Sequence, residues 1–295
     1  MTRIIPYGIL ALVLAVAVLL STADRGHATP STTYWTPATS DIQAFNVWHI
    51  GVDNYFRLSR TTEELRNGQF DSFPTDVGLT VGVLPFQKFQ MEVGIDGMFP
   101  GTRMHPTMTS IGKSLLFNAK VGTPEGSLWS WSPAINIGIF NIGTKAQVTN
   151  MHIVDLIVGK TLGPFGRIHG GGYYGNPDSV LMREGGCKPN PDQSNPALAA
   201  LLTCIPGASG ELDNAGGMVG YDYGFWKVKD SAGNEYNKWI FAADYASGKN
   251  FIGGGGFGMY HFFTKDISLL TGPVWFNDHV INGQWKWTVQ LDINF

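Results

Sequence analysis

The chain has 295 residues, of which 43% are hydrophobic and only 15% are charged, with a formal net charge of -3. About a quarter of the residues of a soluble domain are usually charged, so this composition disfavours an ordinary soluble protein. The small net charge argues against a nucleic acid or another polyanion as partner. The 38 glycines and the 18 Phe, 10 Tyr and 9 Trp residues favour many strands and turns.

Residues 1–28 have the organisation of a secretory signal peptide. Arg3 supplies a positive charge, residues 9–20 form an unbroken apolar run, and small residues at 21–23 and 26–28 offer two cleavage sites. The run is too short for a typical membrane helix, although an uncleaved anchor is the alternative. We therefore expect an exported chain, in which residues 29–43 form a Thr-, Ser- and Pro-rich periplasmic lead-in.

From residue 44 onward, long stretches alternate between apolar and polar residues, which predicts β-strands with one face of each kind. Twelve strands are predicted, at residues 44–57, 75–84, 88–99, 112–122, 131–141, 150–162, 165–174, 216–228, 237–247, 251–263, 266–276 and 284–295. Strands of this length suit a tilted bilayer crossing, which needs about 9–11 residues, better than a soluble sandwich. We predict one domain over residues 44–295, an antiparallel up-and-down barrel. Ten and fourteen strands remain alternatives, because the 251–263 strand is rich in glycine and the 58–74 segment is ambiguous.

The last strand has the clearest pattern, since every second residue is apolar. The apolar face is expected to contact lipid and consists of Trp285, Trp287, Val289, Leu291, Ile293 and Phe295. An even number of strands places both ends of the barrel domain in the periplasm, and the long connections at 58–74, 100–111 and 175–215 then lie outside the cell.

The signal peptide, the alternating strands and the C-terminal Phe295 resemble those of Gram-negative outer-membrane β-barrels of the porin-like class. The closing stretch from Trp287 to Phe295 resembles the signature that the barrel assembly machinery reads. Residues 75–83 and 91–95 resemble the transporters associated with the meta-pathway of phenol degradation. These resemblances imply an outer-membrane channel for passive passage of small solutes, which could include small hydrophobic or aromatic compounds. They also imply lipid and the assembly machinery as partners, and they leave the oligomeric state open.

The polar faces of the strands carry the residues expected to line the lumen. These are Asp53, Asp76, Glu92, Asp96, Lys120, Asp155, Arg167, His169, Asp222, Lys238, Asp244, Lys286, Gln290 and Asp292. Eight acids against four Lys and Arg residues predict a modest cation preference if the lumen is open. Alternatively, the charges pair across strands and fill a plugged lumen, in which case the barrel has a structural or surface-interaction role.

The longest connection, 175–215, holds both cysteines, and a cysteine pair in an exported chain predicts a disulfide between Cys187 and Cys204. Asn195 and Pro196 are typical of a helix start. The loop could fold into the mouth and set the pore size, or it could form only a surface cap.

An outer-membrane hydrolase is the least favoured function. Outer-membrane phospholipases place a His and a Ser two positions apart on a strand, and no His of this chain has a Ser at that spacing. The histidines are scattered over different strands and loops, so we predict no catalytic residue, no metal site and no cofactor. The run Gly253–Gly256 precedes no helix and is interpreted as a thin patch of wall or a bend in the strand.

Overall fold

The computed structural model describes residues 33–57, 75–99, 114–189, 202–205, 210–283 and 285–295. The predicted signal peptide and residues 195–201 of the predicted loop helix lie outside this part of the chain. The elements in chain order are β1 (Trp48–Phe56), β2 (Thr75–Gly82), β3 (Gln90–Phe99), β4 (Leu115–Thr123), β5 (Ala134–Gly143), β6 (Asn150–Thr161), β7 (Arg167–Tyr174), β8 (Gly186–Pro189), β9 (Leu202–Ile205), β10 (Ala215–Lys229), β11 (Glu235–Ala246), β12 (Gly254–Phe262), β13 (Ile267–Phe276), the short helix α1 (His279–Asn282) and β14 (Trp285–Asn294).

Twelve of these strands form a closed antiparallel barrel, which confirms the predicted fold class. Each barrel strand pairs with its neighbours in sequence, except that β7 pairs with β10 because β8 and β9 form a separate hairpin. The barrel closes between β1 and β14, where His49 lies opposite Asn294 and Phe56 lies opposite Trp287. No strand edge of the barrel is therefore left unpaired, as a hydrocarbon environment demands.

The last strand shows the two faces that its sequence predicts. Lys286 and Gln290 point inward and are 4% and 2% exposed, whereas Trp285 and Phe295 on the alternate positions are 41% and 65% exposed. Large aromatic side chains are also exposed near both ends of the barrel: Phe99, Tyr174, Tyr245 and Trp275 at the end with the long connections, and Phe86, Trp131, Phe165 and Phe263 at the other. This distribution is that of an outer-membrane-type barrel, with its apolar wall outward and aromatic belts at both interfaces. Within the described residues, no helix is long and apolar enough to span a membrane.

We call the end of the barrel that carries the long connections the outer end, and the opposite end the periplasmic end. Near β6, β7 and β10, a buried apolar cluster packs inside the outer part of the barrel. It includes Met151 and Ile153 of β6, Ile281 of α1, and Leu181 and Met182 from the connection between β7 and β8. Part of the 175–215 connection therefore folds into the mouth, as one of the two sequence-based alternatives supposed.

The predicted periplasmic lead-in is the main correction to the sequence-based account. Residues 33–43 lie inside the barrel, and we call them the lumen segment. Tyr34 is fully buried in a second apolar cluster, together with Tyr260 of β12 and Leu270 of β13. The prediction was wrong for these residues because polar composition suggested a solvated segment, whereas their polar groups bind to the polar inner wall.

The hairpin of β8 and β9 lies in the connection predicted to hold a disulfide. Its antiparallel register places Cys187 directly opposite Cys204. Opposed residues of an antiparallel pair have Cα atoms about 4.5–5.5 Å apart, within the range that a disulfide spans. The disulfide itself stays a prediction.

Candidate functional site

The lumen is the candidate site, and the lumen segment is its largest occupant. Asp244 of β11 holds one end of this segment. A single carboxylate oxygen of Asp244 accepts hydrogen bonds from the backbone N–H groups of Tyr34, Trp35 and Thr36, each at 2.8 Å. Asp244 is 5% exposed, so the bonds form where water does not compete well. Gln290 donates a further bond to the carbonyl of Tyr34 at 3.1 Å.

A second set of contacts holds the other end of the segment. The guanidinium of Arg167 donates to both carboxylate oxygens of Asp41 at 2.7 and 2.6 Å and also pairs with Asp222 at 3.0 Å. Glu92 accepts a hydrogen bond from the backbone N–H of Gln43 at 2.6 Å. Bidentate Arg–carboxylate pairs fix geometry as well as adding energy, so the segment has one defined path through the barrel.

The glycine-rich wall of β12 and β13 explains how an aromatic ring fits inside so narrow a barrel. A Cβ atom added to Gly256 or Gly258 would collide with the Tyr34 ring, in the second case at 2.6 Å. A Cβ atom at Gly272 would lie 2.7 Å from the Tyr34 hydroxyl. The run Gly253–Gly256 was interpreted as a thin patch of wall or a bend in the strand. The structure shows that the missing side chain of Gly256 makes room for the Tyr34 ring.

A cavity of about 190 Å³ lies beside the lumen segment, between it and the wall formed by β1 to β6. Its carboxylates are Asp53, Asp76, Glu92, Asp96, Asp155 and Asp292. Its basic residues are His49 and Lys120, and its apolar lining includes Trp35, Met98, Leu116, Phe140, Phe251 and Ile252. All six carboxylates except that of Asp155 come from β1, β2, β3 and β14, so one wall of the cavity is strongly acidic.

Two of these six acids form ion pairs within the cavity. The Nζ of Lys120 lies 3.6 Å from Glu92, and the Nε2 of His49 lies 3.4 Å from Asp292. For Asp53, Asp76 and Asp96, no ion pair to a Lys or Arg is found among the described residues. The Asn118 amide donates instead to Asp96. The acid excess that the sequence predicts is therefore concentrated on one side of the lumen.

The remaining predicted lumen residues lie away from the cavity or on its edge. Arg167, His169, Asp222 and Asp244 contact the lumen segment or the residues that hold it, as described above. Lys238 is at the periplasmic rim, where its Nζ lies 3.4 Å from the carbonyl of Phe263. Lys286 is buried near the outer end, with its Nζ 5.2 Å from the centre of the Phe276 ring. The charged residues inside the barrel thus serve two different tasks: some hold the lumen segment, and others line the cavity.

One constellation that the sequence did not reveal has the residue types of a hydrolase. His169 lies between Ser40 and Asp222, with its Nδ1 3.0 Å from the Ser40 hydroxyl and its Nε2 2.9 Å from the Asp222 carboxylate. However, the backbone N–H of Ser40 also donates to Nδ1 at 3.1 Å, and none of the three residues lines the cavity. Since all three residues lie off the cavity and Ser40 belongs to the lumen segment, we assign these contacts to holding that segment.

Metal chemistry is not indicated. Among the residues that the structure describes, no group of three or more His, Cys, Asp or Glu side chains is placed to hold a metal ion.

The sequence matches no family model and no curated protein. Several solved outer-membrane barrels align with the chain. The COG4313 outer membrane channel from Pseudomonas putida F1 aligns with a TM-score of 0.42 and 10% identity, over 91% of this chain and 100% of that chain. A NanC porin aligns with a TM-score of 0.40 and 9% identity, over 83% and 98% of the two chains. Outer membrane phospholipase A from Escherichia coli aligns with a TM-score of 0.39 and 8% identity, over 89% and 97%. At these values the likeness carries no argument about solute or activity.

Proposed function

We propose that the protein is an outer-membrane channel for small solutes, whose passage follows the acidic cavity beside the lumen segment. The extent of the cavity supports this most directly. Its lining runs along β3 from Glu92, near the periplasmic end of the strand, to Met98, near the outer end. Six residues of a strand span about 20 Å, or about 15 Å across the membrane at a typical strand tilt of about 40°, which is about half of the hydrocarbon thickness.

The residues that line the cavity also indicate which solutes fit into it. Carboxylates favour cations over anions, because a negative wall raises the local concentration of positive ions. The rings of Trp35, Phe140 and Phe251 provide apolar surface within the same cavity. We propose small solutes, including compact aromatic ones, with a preference for positive charge.

The route of the chain to the membrane belongs to the same proposal. Residues 1–28 would direct export, and the C-terminal strand from Trp287 to Phe295 would be read by the barrel assembly machinery. The aromatic belts would then hold the barrel at the two interfaces of the outer membrane.

A sealed structural or surface-interaction barrel is the second candidate. The observation that favours it is the filling of the lumen by the lumen segment and by the apolar cluster around Met151. Current through the protein separates the two functions. A channel conducts ions across a planar bilayer as isolated, and deletion of residues 33–43 increases the conductance several-fold. A sealed barrel conducts no current until the segment is deleted.

A further inference from the structure

The acidic wall of the cavity has a specific construction around two opposed glycines. Gly51 of β1 and Gly78 of β2 lie directly opposite each other. Asp53 and Asp76 lie two residues further toward the outer end on the same two strands, and they are also directly opposite each other. Because both glycines lack a side chain, the inner surface here is backbone, and we call it the floor of the cavity, over which neighbouring carboxylates lie.

The carboxylates of four residues surround this floor. A Cβ atom at Gly51 would lie 3.5 Å from Nε2 of His49 and 3.8 Å from an oxygen of Asp53 and of Asp292. A Cβ atom at Gly78 would collide with an oxygen of Asp96. The fourth is Asp76, and one of its oxygens is buried without a hydrogen-bond partner among the described residues.

The facing wall of the cavity has an independent sign of an unfilled site. Asp155 of β6 is 2% exposed and lines the same cavity. One of its carboxylate oxygens accepts a hydrogen bond from the backbone N–H of Gly138 at 2.9 Å. The other is buried and has no hydrogen-bond partner among the residues described. A buried carboxylate oxygen without a donor is costly, and a ligand that donates hydrogen bonds would satisfy it.

Apolar side chains lie directly beside the acids. Asp76 is opposite Met98 in the β2–β3 ladder, and Asp96 is opposite Leu116 in the β3–β4 ladder. Trp35 of the lumen segment lines the cavity as well and packs edge-to-face against Tyr55, with ring centres 5.2 Å apart. A ligand in the cavity would therefore meet carboxylates on one side and apolar or aromatic surface on the other.

We infer that this cavity binds a compact organic monocation, a primary ammonium carried on a single ring or a short apolar body. The ammonium would donate hydrogen bonds to the carboxylates around Gly51 and Gly78, and the apolar body would lie against Met98, Leu116 and Trp35. A cavity of about 150 Å³ is enough for benzene, so about 190 Å³ fits one ring and one ammonium group.

This inference rests on the proposed function, because it names the class of solute that the passage would take. Isothermal titration calorimetry of the purified full-length protein in detergent tests it with three probes of one size: benzylammonium, benzyl alcohol and benzoate. Benzylammonium is expected to bind at least about tenfold more tightly than the other two, since loss of a charge-assisted hydrogen bond costs about that factor. Equal binding of benzyl alcohol, or no binding of benzylammonium, overturns the inference.

The matched variants replace Asp with Asn, in one case inside the cavity and in the other case outside it. Asp53→Asn/Asp76→Asn is expected to weaken benzylammonium binding at least about tenfold, whereas Asp178→Asn, on the exposed outer connection, leaves it unchanged. If the double variant does not fold, Asp96→Asn alone serves in its place. Unchanged binding in the cavity variants overturns the inference. Current measured on the same preparation distinguishes the two proposals. Current without benzylammonium binding overturns the organic-cation site, and binding without current overturns the channel function.

Discussion

Arg167 on the barrel wall donates two hydrogen bonds to Asp41 of the lumen segment, at 2.7 and 2.6 Å. This contact joins residues 126 positions apart in sequence, and it decides where the segment crosses the barrel. Arg167, Asp222 and Asp244 hold the segment without lining the open cavity. Glu92 does both, because it lines the cavity and accepts a hydrogen bond from the backbone of Gln43.

The Arg167–Asp41 pair is expected to restrain the lumen segment. In a double-mutant cycle of Arg167→Gln and Asp41→Asn, the coupling free energy should be about 1–3 kcal/mol, because the pair is bidentate and partly buried. The cycle is measured by urea unfolding of the protein in detergent. Hydrogen exchange of backbone amides 33–43 should increase in both single variants. Additive effects of the two substitutions would show that the pair does not couple the segment to the wall.

The space that the glycines of β12 and β13 leave in the wall should fit the Tyr34 ring specifically. Gly256→Val places side-chain atoms where the ring lies, since an added Cβ atom there meets the Tyr34 ring before the backbone of Pro273, and it should displace the segment, which increases conductance. The matched control is Gly170→Ala on β7, where an added Cβ atom meets only one backbone oxygen at 3.8 Å. If both variants conduct like the wild-type protein, the ring does not hold the segment in place.

Much of this fold follows from the period-2 pattern. The twelve antiparallel strands and the barrel that they form were predicted, because a membrane barrel enforces strict alternation over long strands. The position of residues 33–43 inside the barrel was not predicted. Only two weak features of the sequence relate to the position of this segment. Gly256, Gly258 and Gly272 leave room on one wall, and Asp41 is an acid within an otherwise uncharged stretch. Contacts such as Ser40 with His169 join residues 129 positions apart, and no local pattern reports them.

The acidic cavity should control ion selectivity. Asp96→Asn and Asp155→Asn each remove a negative charge from the lining, so the ratio of cation to anion permeability should fall in both. Reversal potentials in a salt gradient measure this ratio, with Asp178→Asn as the control for a charge outside the cavity. An unchanged ratio in both cavity variants would refute the assignment of selectivity to these acids.

The cysteines of the β8–β9 hairpin are expected to form a disulfide, since the register places Cys187 opposite Cys204. Peptide mapping without reductant should recover the two cysteines in one cross-linked fragment. In the chain-entropy model, a loop of this size is stabilised by roughly 3 kcal/mol. Loss of the link should therefore increase proteolysis of the 175–215 connection in Cys187→Ser. Two free thiols in the exported protein would contradict the prediction.

The periplasmic turn at Glu125 should give a small pH dependence of stability. Partial burial alone would raise the pKa of Glu125, but the hydrogen bonds from Lys160 and from the side chain and backbone of Thr161 lower it below its ordinary value of 4.5. A carboxyl whose pKa is lowered by folding stabilises the fold above its ordinary pKa, and this contribution is lost as the pH falls through the lowered value. The difference in unfolding free energy between wild type and Glu125→Gln should therefore shrink on acidification below pH 4.5. A difference that grows with acidification would contradict the assigned contacts.

The central claim is that solutes pass beside the lumen segment on its acidic side, and site-directed blocking of current tests it most directly. Thr80→Cys places a thiol in the lining of the cavity, and Met218→Cys places one in the apolar cluster around Met151, at a residue that does not line the cavity. A charged thiol reagent should reduce the single-channel current of Thr80→Cys and leave that of Met218→Cys and the wild-type protein unchanged. Block at Met218→Cys without block at Thr80→Cys would contradict the proposed passage.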